Sequence, residues 1–124
     1  KDFKEVKKYY EPKILGKKII GLTCSASRVP KKENMIKMLK KLIDHLPTNS
    51  LIKPHPSYTS SNEVFKEFTD IFNDLNSKKI ELCDSTVMLE IEMMYEKKII
   101  IGPQSSLSVY TESLGSEYKF IQLY

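Results

Sequence analysis

Short continuous apolar runs alternate along the chain with longer stretches in which apolar residues return every three or four positions. The first pattern is that of buried strands and the second that of amphipathic helices. Residues 18–23 form the first run, and the polar stretch from Cys24 to Arg28 followed by Pro30 predicts a loop and a helix start. Met35, Ile36, Leu39, Leu42, Ile43 and Leu46 carry that helix onward until Pro47 and Asn49 break it. Leu51, Ile52 and Lys53 make a second strand that enters Pro54, His55 and Pro56. A proline on each side of His55 favours extended backbone and a stiff loop.

Ser60 and Glu63 have capping-box spacing, and Val64, Phe65, Phe68, Ile71, Phe72 and Leu75 then follow at helical period as far as Asn76. Residues 79–82 predict a third strand, Asp84, Ser85 and Thr86 supply N-cap candidates, and residues 87–95 a third helix. Ile99, Ile100 and Ile101 read as a buried strand. Gly102 and Pro103 then turn the chain into a helix over residues 104–114, ended by Gly115, and residues 118–123 close with a fifth strand. This alternation predicts a Rossmann-like α/β fold, with a mostly parallel sheet, right-handed crossovers and helices on both faces. No repeat, low-complexity segment or interior linker interrupts it, so residues 1–124 are read as one domain. The chain opens on Lys1 rather than Met, from which a longer parent chain is expected.

Charge narrows the classes of partner. The 20 basic and 16 acidic residues leave a net charge of +4, spread along the chain without the concentrated basic tract of a nucleic-acid binder. Lys31, Lys32, Lys37, Lys40 and Lys41 interleave with the apolar stripe of the first predicted helix, which makes them a solvated face or, alternatively, a peripheral contact with an anionic membrane. No apolar run approaches the roughly 20 residues needed to cross a bilayer, and no signal peptide is visible. Cys24 and Cys83 lie far apart without CxxC spacing and read as reduced thiols of a cytoplasmic domain, buried at strand ends. The two histidines and two cysteines form no ligand cluster, so no metal and no cofactor is expected. GxSxG, GxxxxGK[ST] and GxGxxG motifs are all missing, which lowers hydrolase, P-loop and dinucleotide readings.

In an open parallel sheet, ligands bind at the carboxyl ends of the strands. Ser105 and Ser106 fall there, in the predicted first turn of a helix after Gly102, where hydroxyls and free N–H groups suit a phosphate; one serine acting only as a cap is the alternative. His55 also stands at a strand end, with Lys53 two residues before it and on the same side of extended backbone. Imidazole there can donate to a phosphate and pass a proton to a departing phosphoryl oxygen, or it can simply pack the loop. His45, near a helix end, reads as a charge partner of that terminus or a surface residue. Glu90 suits the two hydroxyls of a ribose or the positive end of its helix, with Asp84 as a competitor, whereas Glu92 and Glu96 read as surface residues.

Lys53, Pro54, His55 and Pro56, together with Gly102, Pro103, Gln104, Ser105 and Ser106, resemble the His-Pro and Ser-Ser motifs of bacterial sialyltransferases. These include the capsular polysialyltransferases and the lipooligosaccharide sialyltransferases. Here the motifs stand about 50 residues apart. The resemblance implies the C-terminal, donor-binding half of a GT-B glycosyltransferase, whose substrates are CMP-sialic acid and a glycan acceptor at the inner face of the bacterial membrane. His55 would contact or protonate the donor phosphate, Ser105 and Ser106 would bind it, Lys53 would help hold the cytidine, and Glu90 the ribose. The reaction would be a metal-independent displacement with inversion. Its base would be a carboxylate of an N-terminal domain outside this chain, so this half alone would be inactive. Glycerophosphotransferases of teichoic-acid synthesis, which use CDP-glycerol, pair similar motifs and are the nearest alternative; a non-catalytic nucleotide- or anion-binding module is the alternative from another class.

Overall fold

The computed structural model describes residues 3–124. Helix α1 (Phe3–Tyr9) leads into strand β1 (Ile19–Leu22). Helix α2 (Lys32–Asp44), β2 (Leu51–Lys53), α3 (Asn62–Leu75), β3 (Glu81–Leu82), α4 (Leu89–Tyr95), β4 (Ile99–Gly102), α5 (Leu107–Ser113) and β5 (Glu117–Phe120) follow in order. The five strands pair in the order β3-β2-β1-β4-β5, all in parallel. This is a Rossmann-like α/β fold.

Register explains the two layers of core. Ile20, Leu51 and Ile100 stand side by side across the sheet, and with period 2 they share one face. They pack with Ile14, Val87, Leu89 and Met93. Gly21, Ile52 and Ile101 share the other face. There Ile52 and Ile101 meet Met38, Leu39, Leu42, Leu46, Phe68 and Phe72 of the α2–α3 layer. A Cβ on Gly21 would lie 2.7 Å from Leu46 Cδ1, so the glycine lets α2 approach the sheet closely.

Several expected boundaries move. Ser61, not Ser60, caps α3, with its hydroxyl accepting from Val64 N at 3.2 Å. Asp84 does not cap α4; its carboxylate accepts from Thr86 N and Thr86 Oγ1 at 2.8 and 2.7 Å, and the helix begins only at Leu89. α5 begins at Leu107, so Ser105 and Ser106 precede the helix rather than forming its first turn. The last strand starts at Glu117 and ends at Phe120.

The segment ahead of β1 belongs to the domain, and buried polar groups fasten it. Glu92 is fully buried and accepts from Tyr10 Oη at 2.6 Å, Lys13 N at 2.8 Å and Ile14 N at 3.4 Å. This overturns its reading as a surface residue: Leu89, Glu92 and Met93 form the inward face of α4. Lys98, 2% exposed, donates from Nζ to Ile14 O and Lys17 O and pairs with Glu96 at 2.6 Å. Glu96, half-buried, also accepts from Gly16 N, and the Lys98 hydrogen bond holds its carboxyl below the usual range. It too is a structural tie rather than a plain surface residue.

Candidate functional site

Sheet order reverses between β1 and β4: the chain leaves β1 toward β2 on one side and β4 toward β5 on the other. Loops diverging at such a point leave a crevice at the carboxyl ends of the strands. A cleft of about 620 Å³ lies there, a size suited to a nucleotide-sized ligand. Its walls bring together Lys53 and His55 from the β2 loop, Glu90 from α4, and Ser105 and Ser106 from the β4 loop. Gly102 is not on the wall. A Cβ there would meet Leu22 Cβ at 2.8 Å and Leu22 O at 3.2 Å, so Gly102 lets the ends of β4 and β1 close up beneath the cleft.

Proline on both sides holds His55 extended (φ −59°, ψ 145°) before a 3₁₀ turn over Pro56–Tyr58. Its N–H donates to Thr23 Oγ1 at 2.8 Å, which ties the β2 loop to the end of β1. Ser57 N donates to His55 Nδ1 at 3.1 Å, and the Ser57 hydroxyl lies 2.8 Å from the same nitrogen. A backbone N–H can only donate, so Nδ1 accepts and the neutral ring carries its proton on Nε2. The exposed imidazole thus presents a donor to the cleft.

The two serines differ. Ser105 Oγ accepts from Leu107 N at 3.2 Å, and Ser105 O receives Ser108 N and Ser108 Oγ, so Ser105 organises the start of α5. Ser106 occupies the N-cap position without a side-chain capping bond and is exposed. Glu90 is exposed in the first turn of α4 and, among the described residues, is the one acidic side chain on the cleft wall. Asp84 lies off that wall. Its carboxyl is held below the usual range, first by the Thr86 N–H and then by the Thr86 hydroxyl.

Arg28, in the loop from Thr23 to Arg28 at the carboxyl end of a strand, where ligands are expected, and Tyr124 also line the cleft, and no sequence motif singles out either residue. Arg28 belongs to a 3₁₀ turn over Ala26–Arg28 after β1, with its guanidinium 5.6 Å from the centre of the Tyr124 ring. Ala26 N, in the same turn, donates to Ser57 Oγ at 2.9 Å, so Ser57 joins this turn to His55. That pairing spans 31 residues and leaves no trace in local sequence pattern.

Away from the cleft, His45 is exposed at the end of α2, its Nδ1 2.8 Å from Lys41 O, and the α2 lysines face outward. Cys24 is buried and Cys83 half-buried, both free. Burial raises both thiols, Cys83 to about 11. Among the described residues, no group of three or more His, Cys, Asp or Glu is placed to hold a metal ion, and no helix is long and apolar enough to cross a membrane. No protein-family model, curated protein or solved structure matches the chain.

Proposed function

We propose that the chain binds the nucleotide-sugar donor of a GT-B glycosyltransferase, and that this donor is CMP-sialic acid. The observation that carries the reading is that His55 and the Ser105–Ser106 pair, 50 residues apart in sequence, line one cleft at the point where strand order reverses. Phosphate oxygens in that cleft would meet the Nε2–H of His55 and the hydroxyl of Ser106, and the ammonium of Lys53 would help hold the cytidine. Glu90 would accept from the ribose hydroxyls.

In the transfer itself, an acceptor hydroxyl attacks the anomeric carbon of sialic acid as the bond to the phosphate oxygen breaks, and CMP leaves with the bonding pair. Negative charge grows on that oxygen, where the donors of the cleft stabilise it. The acceptor's proton passes to a carboxylate base of the opposing domain; Glu90, assigned to the ribose, is not that base. A cytoplasmic location belongs to the same proposal, because two free thiols suit a reducing compartment. A second reading, CDP-glycerol as donor, draws on Arg28, a further cation on the wall that suits a second phosphate.

Calorimetric titration of the chain and of His55→Ala with CMP, CDP and UDP tests the assignment. Binding of CMP that weakens about 10- to 150-fold in His55→Ala is expected, the effect of one charge-assisted hydrogen bond. Preference for CDP over CMP favours the second reading. Preference for UDP, or unchanged affinity in the variant, removes the assignment.

A further inference from the structure

We propose that Arg28 is a phosphate ligand of the cleft, delivered from a platform formed by Tyr124. The proposal rests on the reading of the cleft as a nucleotide site, and it adds a cation that the His-Pro and Ser-Ser motifs do not contain. Arg28 is exposed on the cleft wall and makes no salt bridge among the described residues. Its guanidinium lies over the Tyr124 ring, 5.6 Å from the ring centre. A guanidinium over an aromatic face keeps its in-plane N–H donors free, and their fork matches two oxygens of one phosphate. Stacking also narrows the rotamers of a long side chain, so less freedom is lost when an anion binds.

The backbone carrying Arg28 is fixed relative to the other donors. Ser25 Oγ accepts from Ser27 N within the turn, and Ala26 N donates to Ser57 Oγ, which also contacts His55 Nδ1. Arg28 and His55 therefore sit on two loops joined through one hydroxyl and open onto one cavity. A ligand with anionic oxygens there can be met from the β1 loop and the β2 loop together. Among the described residues, the side chains lining the cleft include two cations, Arg28 and Lys53, and one carboxylate, Glu90, a set that favours an anion.

The test is calorimetric titration of wild type, Arg28→Gln, Arg28→Lys and Tyr124→Leu with cytidine, CMP and inorganic pyrophosphate, with thermal unfolding as a control for folding. Arg28→Gln is expected to weaken CMP and pyrophosphate by roughly 10- to 100-fold and to leave cytidine, which has no phosphate, unchanged. Arg28→Lys should fall between, since a point charge replaces the fork, and Tyr124→Leu should weaken both anions by a smaller factor. Wild-type affinity for both anions in Arg28→Gln overturns the proposal and leaves the nucleotide reading standing. Pyrophosphate binding that depends on Arg28, without preference for CMP over pyrophosphate, sinks the nucleotide reading and keeps Arg28 as an anion ligand. If wild type binds neither anion, both fall.

Discussion

Nδ1 of His55 receives the N–H of Ser57 at 3.1 Å and lies 2.8 Å from the hydroxyl of the same serine. The N–H contact selects the ring form that carries its proton on Nε2, and in that form the hydroxyl donates to Nδ1 as well. Ser57 is thus a positioning residue: it decides which face of an acid–base group a ligand meets. In Ser57→Ala one of two donors to Nδ1 is gone, worth about 0.5–1.5 kcal/mol, so the ratio of the two neutral tautomers should shift about two- to tenfold. Ring nitrogen shifts by ¹⁵N NMR, read where the imidazole is neutral, measure it. Ser57→Thr should restore the wild-type ratio. A wild-type ring protonated mainly on Nδ1 would remove this account of His55.

Hydrogen bonds at the buried face of α4 bear on stability. Tyr10 Oη donates to Glu92 and accepts from Met88 N at 3.0 Å, so one hydroxyl fastens both the leading segment and the residue before α4. Tyr10→Phe should cost about 1–3 kcal/mol, because it leaves a buried carboxylate oxygen and a backbone N–H short of a partner. Glu92→Ala should cost more, on the order of 3 kcal/mol or above, since three donors lose their acceptor. Urea midpoints at constant m-value give both numbers. A Glu92→Ala protein within about 0.5 kcal/mol of wild type, the ordinary range of a surface substitution, would show that the cluster contributes nothing.

Why the burial of Glu92 is not legible in the sequence, while the loop positions of His55 and the two serines at strand ends are, is a matter of how far apart interacting residues stand. Strands and helices announce themselves through neighbours: the isoleucines of β4 are consecutive, and α3 repeats its aromatic residues within one stretch. His55 and Ser105 were legible because proline and glycine mark the loops that carry them. Glu92, on the contrary, is a charge on the inward face of a short helix, and its partners lie 78 to 82 residues away. The leading helix α1 spans seven residues, and the buried Val6 and Tyr10 stand four apart, a pattern too short to signal a helix by itself. Choosing Ser61 over Ser60 as the cap of α3 needed the backbone angle, as both serines suit the role. Arg28 on Tyr124 is a contact across most of the chain.

Burial also sets how stability responds to alkali. The Tyr10 phenol is pushed up to about 12 by burial and then by its bond to Glu92, from an ordinary value of 10.0; the Cys83 thiol rises to about 11 from 9.0, chiefly by burial. Each group keeps its proton in the folded chain after the unfolded chain has lost it. The folded state then binds more protons, so stability falls as pH rises, from about 9 for Cys83 and from about 10 for Tyr10. Denaturation midpoints between pH 8 and 12 should show this decline. Tyr10→Phe should flatten it between pH 10 and 12, and Cys83→Ala between 9 and 11, whatever each substitution does at neutral pH. An equally steep decline in Tyr10→Phe would mean that its phenol is not perturbed in the folded state.

Two glycines separate the fold from the cleft in one comparison. At Gly21 an added methyl meets Leu46 Cδ1 at 2.7 Å and Leu42 Cδ1 at 3.2 Å, the mobile ends of side chains that can rotate aside. At Gly102 it meets Leu22 Cβ at 2.8 Å and Leu22 O at 3.2 Å, atoms at or beside the backbone of the neighbouring strand. Overpacking costs about 1–3 kcal/mol in general, and the rigid neighbour should place Gly102→Ala above Gly21→Ala within or beyond that range. The more telling difference lies in ligand binding. Relief of the clash at Gly102 requires the ends of β4 and β1 to part, which moves the Ser105–Ser106 loop relative to the His55 loop, because Thr23 at the end of β1 holds His55 N. Gly102→Ala should therefore weaken CMP binding even where the protein is fully folded, while Gly21→Ala, on the α2 side of the sheet, should lose stability alone. Equal affinity for CMP in both folded variants would mean that the spacing of β1 and β4 does not control the cleft.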